Sequence, residues 1–333
     1  MVDRPKANFA KFFVGERPQV VHEWDIRARN REFLSGIDPK YFEYMGRTHA
    51  ASLETDDKQY AALAIRSLYS QALETFFALL FATAQAHLAV YAWVLRYNPK
   101  DLDGLIEAMR THQPIYSQRW PRPASWLDLS NWIHSLWRFG DSDETDRRIK
   151  EGFAQAWQRF AYDFTDQAAR EEYNSIKHGL RTRSGGFHLL FGVQDELGTP
   201  APVERMQRLG GSDFGTTYYR GEKLCDTANN FRARRCSRNW NPRNLVKGVD
   251  LLSISMENVL SFAKRLNGAG EGFPGHYPLN EETFMAPWEM GIGPITMNLD
   301  KNLDNEDVSP FSEEEIKDTF DAEYLRKSRE TSG

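Results

Sequence analysis

The residues best equipped for chemistry lie together in one short stretch, Arg170-Glu171-Glu172-Tyr173-Asn174-Ser175-Ile176-Lys177-His178-Gly179-Leu180-Arg181. If this stretch is helical and Ile176 faces inward, Asn174, His178 and Arg181 stand at about 160°, 200° and 140° from it, opposite the core. An imidazole that titrates near ~6.5 suits proton transfer, and a guanidinium suits a phosphate or a developing negative charge. His178, Asn174 and Arg181 are therefore the candidate catalytic residues. The same three also suit an ordinary polar helix face, with His178 bonded to a backbone carbonyl.

A second concentration of charge follows. Residues 177–247 carry thirteen basic and six acidic side chains, a net +7, whereas residues 300–323 carry a net −8. On a strand, Arg232, Arg234 and Arg238 point one way and Phe231 and Ala233 the other. With Trp240 beside it for stacking, this guanidinium ridge is the candidate nucleic-acid surface. Its plainer reading is a solvated sheet face, partly neutralised by the chain's own acidic tail. Docking of the helix around Ser312–Arg329 on the ridge is the intramolecular version of that reading.

Other patterns carry less. Asp141-Ser142-Asp143-Glu144-Thr145 spells a phosphotransferase signature that needs a preceding strand, and an N-cap followed by first-turn acids explains it better. Gly268, Gly270 and Gly272 follow a helix, which makes a linker of them rather than a phosphate loop. None of the eight histidines forms a pair with metal-ligand spacing, so no metal site and no cofactor is predicted.

The elements that must position these groups are mainly helical. Ile65, Leu68, Tyr69, Ala72, Leu73, Phe76 and Leu80 recur at three and four residues, which predicts a long helix from Asp57 to Tyr97, bent near His87. Residues 75–95 include no formal charge, yet Gln85, His87 and many alanines mark a buried core helix rather than a membrane span. Shorter helices are predicted over Pro39–Ser52, Asp101–Thr111 and Ser125–Phe139. A second long helix covers Asp143–Arg181, with a ridge that shifts register at Ala168 as a 3.6-residue period drifts.

The period then changes to two. Gly186–Val193, Phe214–Leu224 and Asn230–Trp240 read as strands, before Asn241-Pro242 opens a further helix to about Asn267. Ser312 and Glu315 form a capping box for a last charged helix. The fold class is mainly α, a helical bundle with a small antiparallel β-sheet inserted at about residues 186–240. The predicted organisation is an N-terminal segment, 1–58; a helical core, 59–269; and a glycine-rich linker with an acidic tail, 270–333.

Two long helices and an N-x-x-x-H near a helix end, Asn174 and His178, resemble the HEPN superfamily. The resemblance covers about residues 60–182 and the helix 242–267. It implies a helical bundle, often a homodimer, directed at RNA; many such proteins are metal-independent ribonucleases of defence and toxin systems. Tyr173 stands where the family carries arginine, so a non-catalytic RNA binder is implied as readily as an enzyme.

Composition bounds the rest. The chain has 333 residues, net charge −5, 13% aromatic residues and two cysteines, enough for a sizeable core and too few thiols for a disulfide scaffold. Asp3, Arg4 and Lys6 with no apolar run suggest a soluble, cytoplasmic protein. Two functions remain open: an RNA-directed HEPN-like protein, or a non-enzymatic interaction and self-association module.

Overall fold

The computed structural model describes residues 8–115, 125–178, 181–224, 231–268, 275–278, 281–289, 296–298 and 312–330. Cys225, Gly270, Gly272 and the acidic run 300–311 lie outside the described residues. In chain order the elements begin with β1 (Asn8–Val14), β2 (Arg17–Glu23), α1 (Ile26–Gly36), α2 (Lys40–Ala51) and α3 (Lys58–Ala86). Then come α4 (Val90–Val94), α5 (Pro99–Arg110), α6 (Trp126–Ile133), α7 (Asp143–Thr165) and α8 (Gln167–Lys177). The insertion holds β3 (Thr182–Ser184), β4 (His188–Phe191), β5 (Gln207–Gly211), β6 (Gly215–Lys223) and β7 (Phe231–Asn239). Last are α9 (Pro242–Leu266), β8 (Thr296–Asn298) and α10 (Glu313–Glu330).

α3 is the axis of the bundle. From Phe76 to Ala86 every residue is buried, because α7, α9, α5 and the β1–β2 hairpin enclose it. This is why the segment is apolar all round rather than striped. Among the described residues no helix is long and apolar enough to cross a membrane. Phe76 lies 5.5 Å from Trp157, and Phe77 lies 5.4 Å from Phe164, ring centre to ring centre. Each such pair adds about 0.5–1.5 kcal/mol beyond the area it buries.

The predicted bend near His87 is a complete break: α3 stops at Ala86 and α4 starts at Val90. The freed carbonyl of His87 accepts from Asn30 Nδ2 at 3.1 Å and Asn267 Nδ2 at 2.9 Å, so two buried amides close the gap. Gln85, buried one residue before α3 ends, clamps the β1–β2 turn. Its Oε1 accepts from Gly15 N at 3.1 Å and its Nε2 donates to Gly15 O at 2.9 Å. Gly15 has φ +60, which explains the glycine there.

The second long helix is also two helices. Asp166, with ψ 110, ends α7 and caps α8, accepting from Ala168 N at 2.9 Å and Ala169 N at 3.3 Å. The register shift at Ala168 is this break and not a drift. α8 then ends at Lys177, so His178 and Arg181 fall beyond it. The helix predicted over Ser125–Phe139 likewise ends early, at Ile133.

The inserted antiparallel β-structure is present as two sheets, β3-β6-β7-β8 and β4-β5. A bulge between Leu189 and Leu190 breaks the alternation read over Phe187–Val193, and Leu189, Leu190 and Phe191 are all exposed. After the glycine-rich stretch the chain returns to the core. Phe284 packs 4.9 Å from Phe153, over Gly152, where any Cβ would strike its ring at 2.5 Å. The capping box of α10 is formed: Ser312 N donates to Glu315 Oε2 at 2.7 Å and Glu315 N donates to Ser312 Oγ at 3.1 Å.

Candidate functional site

The inner face of the inserted sheet rests on α8. Strand register sets Thr216 opposite Arg238, Tyr218 opposite Cys236, Arg220 opposite Arg234 and Glu222 opposite Arg232. Tyr218 Oη donates to Ala168 O at 3.0 Å, and Arg220 Nη1 reaches Glu171 Oε2 at 3.0 Å. Phe231, Ala233 and Tyr219 face outward and are exposed.

The guanidinium row thus points inward, the reverse of the expected solvent-facing ridge. Arg232 Nη2 and Arg234 Nη1 lie 2.5 and 3.1 Å from Glu222, and Arg238 Nη2 lies 2.6 Å from Asp166. Trp240 is 6% exposed, packed against Ala61, Ala62 and Ile65, and is unavailable for stacking. The cause is α8 itself, which presents Glu171 and Glu172 next to the Asp166 cap and draws the cationic face of the sheet onto it. In the tail helix α10, residues 313–324 are exposed rather than covering this row.

Beneath the sheet lies a buried polar node. Glu172 is 0% exposed, and its Oε2 accepts from Arg66 Nε at 2.9 Å. Its Oε1 accepts from Trp240 Nε1 at 2.8 Å and from Thr216 Oγ1. Burial works against the charge of Arg66, but the Glu172 carboxylate outweighs it and holds the guanidinium pKa above its usual value. Arg66 gives only its Nε to this pair. Its Nη2 is buried and has no hydrogen-bond partner among the described residues.

Arg66 also lines a cleft between α3 and α8 with a volume of about 150 Å³. Ser70 and Glu74 continue the α3 wall at steps of four residues, and Arg170, Tyr173, Asn174 and Lys177 form the α8 wall. Leu73, Phe164 and Pro99 supply apolar surface. Glu74 accepts from Tyr97 Oη at 3.2 Å. Asp163 Oδ2 accepts from Tyr69 Oη and, at 3.0 Å, from Trp288 Nε1. Burial first, then the Asp163 charge, pushes the Tyr69 phenol well up; burial and Glu74 do the same to Tyr97, and both stay neutral donors. Arg170 is committed to Asp103 through both terminal nitrogens, at 2.7 and 2.5 Å.

Of the predicted catalytic residues, Asn174 lies on the rim of this cleft, while His178 and Arg181 lie beyond the end of α8, exposed, outside the lining. His178 N donates to Asn174 O at 3.0 Å as a C-cap, but among the described residues no side-chain hydrogen bond orients its imidazole. Arg66, Glu74, Asp163 and Lys177 were not legible as site residues. The available signal was the polar series Arg66, Ser70, Glu74 along a helix that is otherwise apolar. Among the described residues no group of three or more His, Cys, Asp or Glu is placed to hold a metal ion.

Comparison with known proteins finds no family model, no curated protein and no solved structure that matches this chain.

Proposed function

We propose that the protein binds single-stranded RNA, without cleaving it, at the junction between α8 and β3. The observation that carries this is the set Lys177, Arg181 and Arg183, all exposed and, among the described residues, without a carboxylate within salt-bridge distance. The guanidinium row of β7 has its acids; these three cations do not. A cationic strip without carboxylate partners, its Lys177 Nζ over the Tyr173 ring at 5.9 Å, lies beside a cleft with aromatic and apolar walls. It suits a flexible, phosphate-bearing strand whose bases are free to insert. The reading keeps the RNA-directed part of what the HEPN resemblance implies and drops the hydrolytic part. A general acid–base imidazole needs a partner that orients it, and His178 has none among the described residues.

The test is binding of a labelled single-stranded RNA across a salt series. Three phosphate contacts predict a log–log slope of about −2. The combined variant Lys177→Ala, Arg181→Ala and Arg183→Ala should lose most of the affinity together with the slope. A salt-independent affinity, or unchanged binding by the variant, would overturn the reading. Cleavage lost in His178→Ala would instead restore the ribonuclease.

A second reading, self-association, is favoured by one observation. The β4–β5 hairpin is a separate two-stranded sheet, with Leu189, Leu190, Phe191 and Leu209 exposed. Among the described residues both its outer edges are unpaired, which invites pairing with the same hairpin of a second copy. Sedimentation should then show a dimer that Phe191→Asp dissociates; a monomer at high concentration refutes it.

A further inference from the structure

Strand register sorts the inserted sheet into two faces of opposite character. Glu222 is the one carboxylate that β3, β6 and β7 contain, and it faces inward with the arginine row. The outer face is therefore free of negative charge from its own strands. Tyr219 stands there directly opposite Arg235, and Phe231 directly opposite Lys223. Arg183 of β3, opposite Thr217, falls on the same face. All five side chains are exposed, Tyr219 at 59% and Phe231 at 65%. Between the two ring–cation pairs the strands carry only Gly221 and Ala233. The Phe231 ring leans over this gap, its Cδ2 3.5 Å from where a Cβ on Gly221 would stand. Four residues of strand separate Tyr219 from Lys223 and its partner Phe231, a distance of about 13 Å.

We propose that this outer face is a stacking platform for single-stranded RNA, with Tyr219 and Phe231 taking bases and Arg183, Lys223 and Arg235 meeting the backbone. The centre of a protein–protein interface is depleted of charge, whereas here each exposed ring has a cation across from it. A single strand has that same composition, a flat base and a phosphate in every unit. Bases stack on an aromatic side chain whatever their sequence, because each has a π-face, and the phosphates are met by neighbouring cations. The absence of acids on the face removes the repulsion that a polyanion would otherwise meet.

The inference rests on the RNA reading and carries its strand past the α8–β3 junction, since Arg183 belongs both to the junction and to this face. It can fail separately. The full chain is titrated with a labelled oligouridylate of about eight nucleotides and with inorganic polyphosphate of similar charge. Polyphosphate has the charges and no bases, so it reads the cations alone. Oligouridylate should bind more tightly, with its base protons shifted upfield in proton NMR by ring stacking. Tyr219→Ala and Phe231→Ala should each weaken oligouridylate about ten-fold and leave polyphosphate binding as it was. The salt slope should stay the same in both variants, because neither removes a phosphate contact.

Both rings are more than half exposed, so the alanine variants should keep the parent melting temperature. Tyr219→Phe keeps the ring and should bind oligouridylate like the parent; a loss there would overturn the stacking role. Polyphosphate bound as tightly as oligouridylate, or undiminished oligouridylate affinity in both alanine variants, would overturn the platform. If the triple variant at Lys177, Arg181 and Arg183 still loses binding in that case, the RNA reading stands without it. No binding of oligouridylate by the full chain would overturn both. A dimer in sedimentation that Tyr219→Ala and Phe231→Ala dissociate would overturn the platform in favour of a second copy of the chain on this face.

Discussion

His134 Nδ1 lies 3.2 Å from Ser130 Oγ, which donates in turn to Lys150 O at 2.7 Å. Asn258 is oriented by both backbone groups of His276, so its Nδ2, 3.2 Å from His134 Nε2, must donate to that nitrogen. The chain of bonds assigns the neutral tautomer with the proton on Nδ1. Enclosed by Phe139, Phe153 and Trp157, the ring is fully buried, and burial, helped by the charge of Lys150, lowers its pKa from 6.5 to about 3. The unfolded chain takes up this proton before the folded one. The contribution of His134 is therefore intact above pH 6.5 and is lost as pH falls toward 3, by about 1.4 kcal/mol per pH unit. Thermal melts should show the falling stability, and His134→Gln should flatten it. Asp250 has the opposite sign. Burial and then Glu43 raise its carboxyl from 3.8 to about 6, and its Oδ1 is buried with no partner among the described residues. Its contribution is greatest below 3.8 and is lost as pH rises through about 6, so Asp250→Asn should raise the melting temperature at about pH 8 and do less at about pH 5. Neither group was legible as special in the sequence. A histidine and an aspartate on helices look alike whether solvent or a ring of aromatics surrounds them.

Two elements part at Asp166, and the same carboxylate does three things there: it caps two amides of α8 and meets Arg238 of β7. Asp166→Ala should cost about 1–3 kcal/mol, measured by urea unfolding, because the cap and the ion pair go together. Asp166→Asn retains an acceptor for the cap and should cost less. The sequence carried a trace of this break in the shift from Ala168 to Ala169, but a drifting ridge and a broken helix leave the same trace. An aspartate placed just before Gln167-Ala168-Ala169 was the sign that separates them. The change from period 3.6 to period two identified β6 and β7 and the place of β4, but β3 and β5, three and five residues long, are too short to show it and were not read. Alternation is a property of the strand itself. Which face turns inward is not. That depended on Glu171 and Glu172 of a neighbouring helix, and so the arginine row was legible while its direction was hidden. β1 was missed for a local reason. Phe9, Phe12 and Phe13 put aromatic side chains on both faces of a seven-residue strand and mask its alternation.

At the scale of the whole molecule, the two ends of the charge distribution are handled differently. On the inner face of the insertion Arg220, Arg232, Arg234 and Arg238 are met by Asp166, Glu171, Glu172 and Glu222. In the tail helix α10, residues 313–324 are exposed, Ile316, Phe320 and Tyr324 included, and do not join the core. Removing residues 300–333 should therefore leave the melting temperature unchanged within error, as followed by circular dichroism. A large drop would show that the tail is a structural part of the bundle.

Glu172 is supplied from two directions: Arg66 comes from the first half of α3, whereas Thr216, Trp240 and Arg238 arrive with the insertion or at its far end. During folding the helices can assemble around α3 before some sixty intervening residues are ordered, since lengthening a flexible loop two-fold adds only about 0.6 kcal/mol to its closure. Until the sheet closes, the carboxylate retains water on one side, and only the last strand pairing strips it. The sheet is then the part of the molecule that assembles late and opens early. Amide exchange should be slowest in α3 and α9, faster in β6 and β7, and fastest in the β4–β5 hairpin.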